Sequence, residues 1–369
     1  MKNNKTIEIL KQLISIPSWV DSKTNEKEIG EWIYEFLKGN ANLKISKQPI
    51  GNGRFNVILQ KGNCVDILVT GHMDTVRPSS GWTKKVVNPE IIGDEIYGLG
   101  TTDMKSGLAI MLSLAANPEL KDNTMFLFYC DEEYDFLGMK KFIDEYKGKI
   151  KPKLIISLDG EGLQIENSCR GLIELRVSVE GKAGHAANPK SGINAITQSF
   201  KVINTLKKWL KYYKSKELGN STLNIAYING GGSEGNIIAE KCEYIVEVRV
   251  ADEKLNANLV KQFITDSSIK LGLKIKAIKV RHNLGNWTTP REKLKKFIKL
   301  APVRKLKSAK KSGYIDIQML WKIFGKVPTF SLGAGEPGMS HKANEYVKIS
   351  NVKEAQEFYK TILARKELC

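Results

Sequence analysis

Apolar, β-branched strands alternating with amphipathic helices through the first 170 residues predict an α/β chain built on a largely parallel sheet, with helices on both faces. A length of 369 residues exceeds one ordinary hydrophobic core and points to two domains. After Gly171 the rhythm changes to β-α-β-β-α-β, a unit large enough to fold as a small domain, and later changes back. The expected organisation is therefore 1–170, an insertion at 171–281, and 282–369 rejoining the first domain.

Taken in order, Ile7, Leu10, Leu13 and Ile14 have helical spacing that stops at Pro17. Asn25, with Glu28 three residues later, marks the start of a second helix with Ile29, Trp32, Ile33, Phe36 and Leu37 on one face; Gly39 ends it. Next come strands at Phe55–Gln60 and Val65–Thr70 and a helix at Met104–Ala116. A strand at Met125–Cys130, a helix at Gly138–Tyr146 and a strand at Leu154–Leu158 follow. In the insertion, strands are expected at Leu172–Glu180, Leu223–Ile228, Tyr244–Val250 and Leu273–Val280, with helices at Ile193–Leu210 and Leu259–Ile269. His282–Thr289 reads as a return linker, and Thr289, Pro290 and Glu292 announce a new helix. A helix at Ile315–Phe324, a strand at Thr329–Leu332, a glycine-rich loop at Gly333–Asn344 and a helix at Val352–Ala364 complete the chain.

Composition narrows the classes of function. With 41% hydrophobic and 27% charged residues the chain reads as soluble and globular, and no apolar run reaches membrane-spanning length. The five cysteines are scattered and never in a C-x-x-C pair, which argues against a disulfide framework or a thiolate zinc site. Without the pattern of a secretory signal at Met1–Lys5, the expected compartment is the cytoplasm. A net charge of +18 would suit a nucleic-acid partner, but the lysines are dispersed and no nucleic-acid module is recognisable. Only Arg304–Lys311 forms a concentrated basic run.

Three clusters carry the chemistry. Gly71-His72-Met73-Asp74 follows the run Val65, Ile67, Leu68, Val69, so a buried strand delivers an imidazole to the sheet edge where α/β folds keep their ligand crevice. Asp74 is spaced to accept the second imidazole N–H, as an outer carboxylate does in metal sites. The second cluster is Gly98-Leu99-Gly100-Thr101-Thr102-Asp103-Met104-Lys105-Ser106-Gly107, which matches neither a P-loop nor a dinucleotide fingerprint. Asp103 there is either a helix cap or a carboxylate bridging two cations. The third, Asp131-Glu132-Glu133, ends an apolar strand: it is either a solvated turn or a metal ligand beside a general base, because adjacent side chains diverge.

In this order the clusters resemble the two-metal hydrolase family of acetylornithine deacetylase, succinyl-diaminopimelate desuccinylase and glutamate carboxypeptidase. The likeness continues at Gly184-His185-Ala186, Gly192-Ile193-Asn194-Ala195, Asn236, Arg249, Gly333-x-Gly335, His341 and Asn344-Glu345. It implies a phosphorylase/hydrolase-like zinc exopeptidase catalytic domain with an inserted ferredoxin-like lid and dimerisation domain. Carried over, Asp103 bridges two divalent metal ions, with His72 and Asp159 completing one site and Glu133 and His341 the other. Zinc is the expected metal, with cobalt or manganese as alternatives. Glu132 is then the base, Asp74 the orienter of His72, and His185 an oxyanion stabiliser reaching across a homodimer interface. Asn236 and Arg249 bind substrate, Arg249 as a bidentate partner for a free carboxylate. His282 falls in no motif and reads as structural.

The family departures are informative. Asp159 is preferred to Glu161 as ligand because it ends the strand at 154–158, yet deacylases of the family commonly show Glu-Pro there, whereas aspartate is typical of aminopeptidase and dipeptidase members. Leu99 stands where an arginine is usual and Ala239 where a proline is usual. The expected activity is amide hydrolysis of a small acyl-amino acid or short peptide by a water that Glu132 deprotonates. The alternatives are a dipeptidase or aminopeptidase rather than a deacylase, and, in a different class, a non-catalytic peptide- or nucleic-acid-binding relative.

Overall fold

The computed structural model describes residues 5–39, 43–231, 234–306, 315 and 317–364. They form two compact units, one holding the described residues up to Asn167 and from Thr289 onward, the other Ser168–Thr288. Each has a hydrophobic core of its own.

The first unit is organised by a six-stranded sheet in the order Lys44–Gly51, Arg54–Lys61, Thr124–Tyr129, Ile67–His72, Leu154–Ser157, Thr329–Ser331. The last four are mutually parallel, and the first two add antiparallel at one side. Strands 67–72, 124–129, 154–157 and 329–331 are buried along their whole length, which is why they read as unbroken apolar runs rather than alternating ones. Helix Ser106–Ala115 is apolar all round and buries every residue except Ser113. The amphipathic helices Lys5–Ser15 and Lys27–Lys38 bury one face each, through Leu10, Leu13 and Ile14 and through Ile29, Ile33 and Leu37.

Strand Lys44–Gly51 has no counterpart in the pattern-based reading. It is an edge strand with a polar, interrupted sequence, and Pro49 is tolerated there because an edge residue need not donate to the ladder. The second helix starts one residue later than its cap signal implies: Glu26 flanks it, and Asn25 Oδ1 accepts the Lys27 N–H at 2.9 Å. Likewise Pro290 flanks helix Arg291–Leu300 rather than opening it. The expected linker 282–289 is largely strand, since Lys274–Leu284 runs on through His282 and Trp287–Thr288 pairs with Ser168–Cys169. Of the basic run 304–311, only Arg304, Lys305 and Leu306 fall within the described residues.

The second unit is a four-stranded antiparallel sheet in the order Thr222–Gly230, Lys241–Val250, Gly171–Glu180, Lys274–Leu284. Alternate residues Ile173, Leu175, Val177 and Val179, with Tyr244, Val246, Val248 and Val250, give it one apolar face. Helices Ala195–Trp209 and Ala257–Lys270 cover that face through Val202 and Leu206 and through Val260 and Ile264. Asparagine caps fix where both begin: Asn194 Oδ1 accepts Thr197 N–H at 3.0 Å and Asn256 Oδ1 accepts Leu259 N–H at 3.1 Å. No described helix is long and apolar enough to cross a membrane.

One close approach in the first unit ties the ends of two neighbouring strands. A Cβ at Gly333 would lie 2.1 Å from the Gly160 carbonyl oxygen, and one at Gly335 2.7 Å from the same atom. Only glycine lets the chain after 329–331 lie against the chain after 154–157. Gly333→Ala is expected to lower the unfolding free energy by about 1–3 kcal/mol, read from denaturant melts, because backbone rather than a flexible side chain must yield.

Candidate active site

In a parallel sheet the carboxyl ends of all strands share one edge, and here three of the four parallel strands deliver polar residues there while the fourth runs into a glycine-rich loop. His72 is the last residue of its strand, Asp131-Glu132-Glu133 begins two residues after Tyr129, Asp159 lies two beyond Ser157, and Gly333-Ala334-Gly335 follows Ser331. Asp103 comes from the turn Thr101–Lys105 ahead of helix Ser106–Ala115, and His341 from the loop after Gly335.

Two groups of donor atoms result, His72 with Asp103 and Asp159, and Asp103 with Glu133 and His341, each within 4.8 Å of one another. Asp103 is common to both. Its Oδ1 lies 3.1 Å from His72 Nε2 and its Oδ2 3.4 Å from His341 Nε2. His341 Nε2 also lies 3.0 Å from Glu133 Oε1. The groups differ in access: the His72 side chain is 1% exposed and that of His341 52%, so the second faces solvent.

Charge is the dominant feature. Burial raises the Asp159 carboxyl to about 8, with the nearby Asp103 charge adding to it. Burial and Asp103 likewise push Glu133 up. Asp103 is also penalised by burial, but His341 and His72 outweigh this and hold it below the usual carboxylate range. Hydrogen bonds to Asp103 and Glu133 lift His341 to about 10. Burial alone would lower His72, yet Asp103, Asp74 and Glu132 raise it well above an ordinary imidazole. Three partly buried acids thus crowd around two imidazoles, and an oxygen and nitrogen donor set with that excess of negative charge fits divalent cations.

The surrounding bonds explain the placement. The oxygen nearest His72 Nδ1 is the Asp74 backbone carbonyl at 3.0 Å, while the Asp74 carboxylate is 3.6 Å away. That carboxylate instead accepts the Glu132 N–H at 3.1 Å on Oδ1 and the Glu133 N–H at 2.9 Å on Oδ2. Beside its approach to the imidazole, its two oxygens thus brace the acidic turn. Asp131, which sequence groups with its neighbours, turns away from them. Its Oδ1 accepts from Arg54 at 2.5 Å, and Arg54 also binds Glu26 through two bonds of 2.7 and 2.6 Å. Asp131 Oδ2 accepts the backbone N–H groups of Asp135 and Leu137. One of three adjacent acids is therefore neutralised behind the turn, while Glu133 joins the donor group of Asp103 and His341. Neither Arg54 nor Glu26 was apparent from sequence; the only signal is a cation placed directly before an apolar run.

Glu161 is not in either group. Its carboxylate accepts the Gly338 N–H at 3.0 Å and the Ser340 hydroxyl at 2.8 Å, holding the segment that leads to His341. In the second unit, His185 and Asn236 are exposed on facing segments, joined by the Ala186 N–H to the Asn236 carbonyl at 2.8 Å. Arg249 is half-buried on strand Lys241–Val250 and pairs with Glu247 at 2.9 Å.

The family model described as peptidase family M20/M25/M40 matches residues 68–365, a span that contains every residue of both donor groups. The chain belongs to this family. Its chemistry is hydrolysis of amide bonds. An acetylornithine deacetylase of Buchnera aphidicola subsp. Schizaphis graminum is 28% identical over 376 aligned positions, covering 97% of each chain. The aminopeptidase PepT of Bacillus cereus shares the fold with a TM-score of 0.76 at 21% identity, over 98% of this chain and 97% of its own. The M20 family metallo-carboxypeptidase Sso-CP2 of Sulfolobus solfataricus does so with a TM-score of 0.77 at 18% identity, over 98% and 99%.

The buried Arg54 network generates a stability prediction. Arg54→Met strands Glu26 and Asp131 without their cation and is expected to cost about 3–5 kcal/mol in denaturant unfolding. Because His341, lifted to about 10, holds a proton that a metal must displace, zinc affinity is expected to rise with pH up to about 10, with proton release on binding measurable by calorimetry in buffers of different ionisation enthalpy.

Proposed function

We propose that the chain is a two-zinc hydrolase that cleaves the amide bond of a small substrate bearing a free carboxylate. One observation carries this reading: two histidines distant in sequence approach different oxygens of the single carboxylate Asp103. His72, Asp103 and Asp159 would hold one ion, and Asp103, Glu133 and His341 the other. When bound, such a pair supplies a water acidified toward neutrality and positive charge for the scissile carbonyl oxygen.

The protein's own part falls to Glu132. Its carboxylate takes the proton of the attacking water as the oxygen–carbon bond forms, and returns it to the amine nitrogen as the carbon–nitrogen bond breaks. Asp74, through the Glu132 and Glu133 N–H groups, keeps base and ligand in fixed relation. Residues 171–281 act as an inserted lid and dimerisation domain in a homodimer, His185 as a donor to the developing oxyanion, Arg249 as the partner of the substrate carboxylate and Asn236 as a further substrate contact. The free thiols Cys64, Cys130 and Cys242 support a cytoplasmic setting.

The substrate class divides into two readings. Likeness to an acetylornithine deacetylase supports an N-acyl-amino acid. Aspartate rather than glutamate at position 159 favours a dipeptide or aminopeptidase substrate. Assaying acetylornithine, succinyl-diaminopimelate and simple dipeptides with added zinc separates them. Glu132→Gln is expected to retain both metals and lose about 10²- to 10⁴-fold in turnover, the usual worth of a general base. Substantial residual activity, with metal content intact, would exclude the mechanism.

A further inference from the structure

Glu345 belongs to neither donor group, yet its carboxylate is buried and spent entirely on the turn that carries Asp103. Oε2 accepts the Gly100 N–H at 2.9 Å, and Oε1 accepts those of Thr102 at 2.7 Å and Asp103 at 3.1 Å. The Glu345 carbonyl accepts the Gly98 N–H at 3.0 Å, and the next carbonyl, Tyr346, accepts the Thr102 hydroxyl at 2.7 Å. Strand Tyr346–Lys348 then pairs with Glu95–Tyr97, just ahead of the same turn. His341 lies four residues before Glu345.

Burying a carboxylate beside Asp103 is expensive. Three N–H donors at Gly100, Thr102 and Asp103 nevertheless require an acceptor with two oxygens and no hydrogens of its own, which among side chains is an ionised carboxylate. One of those donors is the amide of Asp103 itself. Glu345 therefore fixes the peptide from which the shared carboxylate springs, while its own chain position fixes the loop that brings His341.

We propose that Glu345 is a positioning residue that sets the spacing between Asp103 and His341 and so the geometry of the metal pair. The proposal rests on the two-metal reading above. Its distinguishing consequence is that metal binding suffers before the fold does. Glutamine is nearly isosteric but offers one acceptor oxygen and sets an NH₂ group against backbone donors; aspartate keeps the charge and retracts both oxygens by one methylene.

The test uses the full chain, stripped with a chelator and titrated with zinc in competition with a chromophoric chelator, alongside circular dichroism and thermal melts. The wild-type chain is expected to bind two zinc ions. Glu345→Gln and Glu345→Asp are expected to stay folded and to bind zinc about 10- to 100-fold more weakly, the usual effect of losing an outer-shell partner. Wild-type affinity and stoichiometry in both variants would overturn the proposal. Should a variant unfold when stripped, the rise in its melting temperature on adding zinc is compared with that of the wild-type chain: a smaller rise supports the proposal, and an equal rise assigns Glu345 to the fold alone and overturns it. A wild-type chain that takes up no zinc would instead remove the two-metal reading, and this proposal with it.

Discussion

Confining several carboxylates to one buried edge is the constraint on which the rest of the first unit depends. Like charges in a low-dielectric setting repel, and each acid also loses its hydration. The fold meets this cost by different means at different depths. Behind the edge, Arg54 neutralises Glu26 and Asp131. Beside it, backbone N–H groups satisfy Asp74 and Glu345. At the front, Asp103, Asp159 and Glu133 have, among the described residues, the two imidazoles as their close countercharge, and there a divalent cation is favoured.

The sheet makes this arrangement feasible. Parallel strands buried on both faces place their carboxyl ends side by side without any long loop having to reach inward. Short connections then suffice to bring His72, the 131–133 turn and Asp159 within a few ångströms. The glycines at 333 and 335 let the last strand's exit lie against Gly160. Glu161, one residue on, anchors the segment before His341. Support for the site and support for the fold thus come from the same residues, and no clean boundary separates them.

Much of this was legible in the residues alone. Strand and helix positions followed from apolar periodicity, since fully buried strands leave unbroken runs such as Thr124–Tyr129. His72, Asp103 and the acids at 131–133 stood out as clusters, and the full set with Asp159 and His341 is what the family resemblance implies; the structure gathers these five into two donor groups that share Asp103. What escaped was set by contacts distant in sequence. The edge strand Lys44–Gly51 carries too weak an apolar pattern to be seen alone. The partnership of Arg54 with Asp131, the actual acceptors of the Asp74 carboxylate, and the bonds of Glu161 and Glu345 are invisible to local spacing, because each joins segments that meet only after folding.

The dispersal of these residues along the chain has a consequence for biosynthesis. His72 is made well before His341, and the strand Thr329–Ser331 that precedes His341 is the last of the six in sequence. A nascent chain on the ribosome accumulates acidic side chains long before it owns the second imidazole. The second donor group is therefore incomplete until the segment that carries His341 has been made.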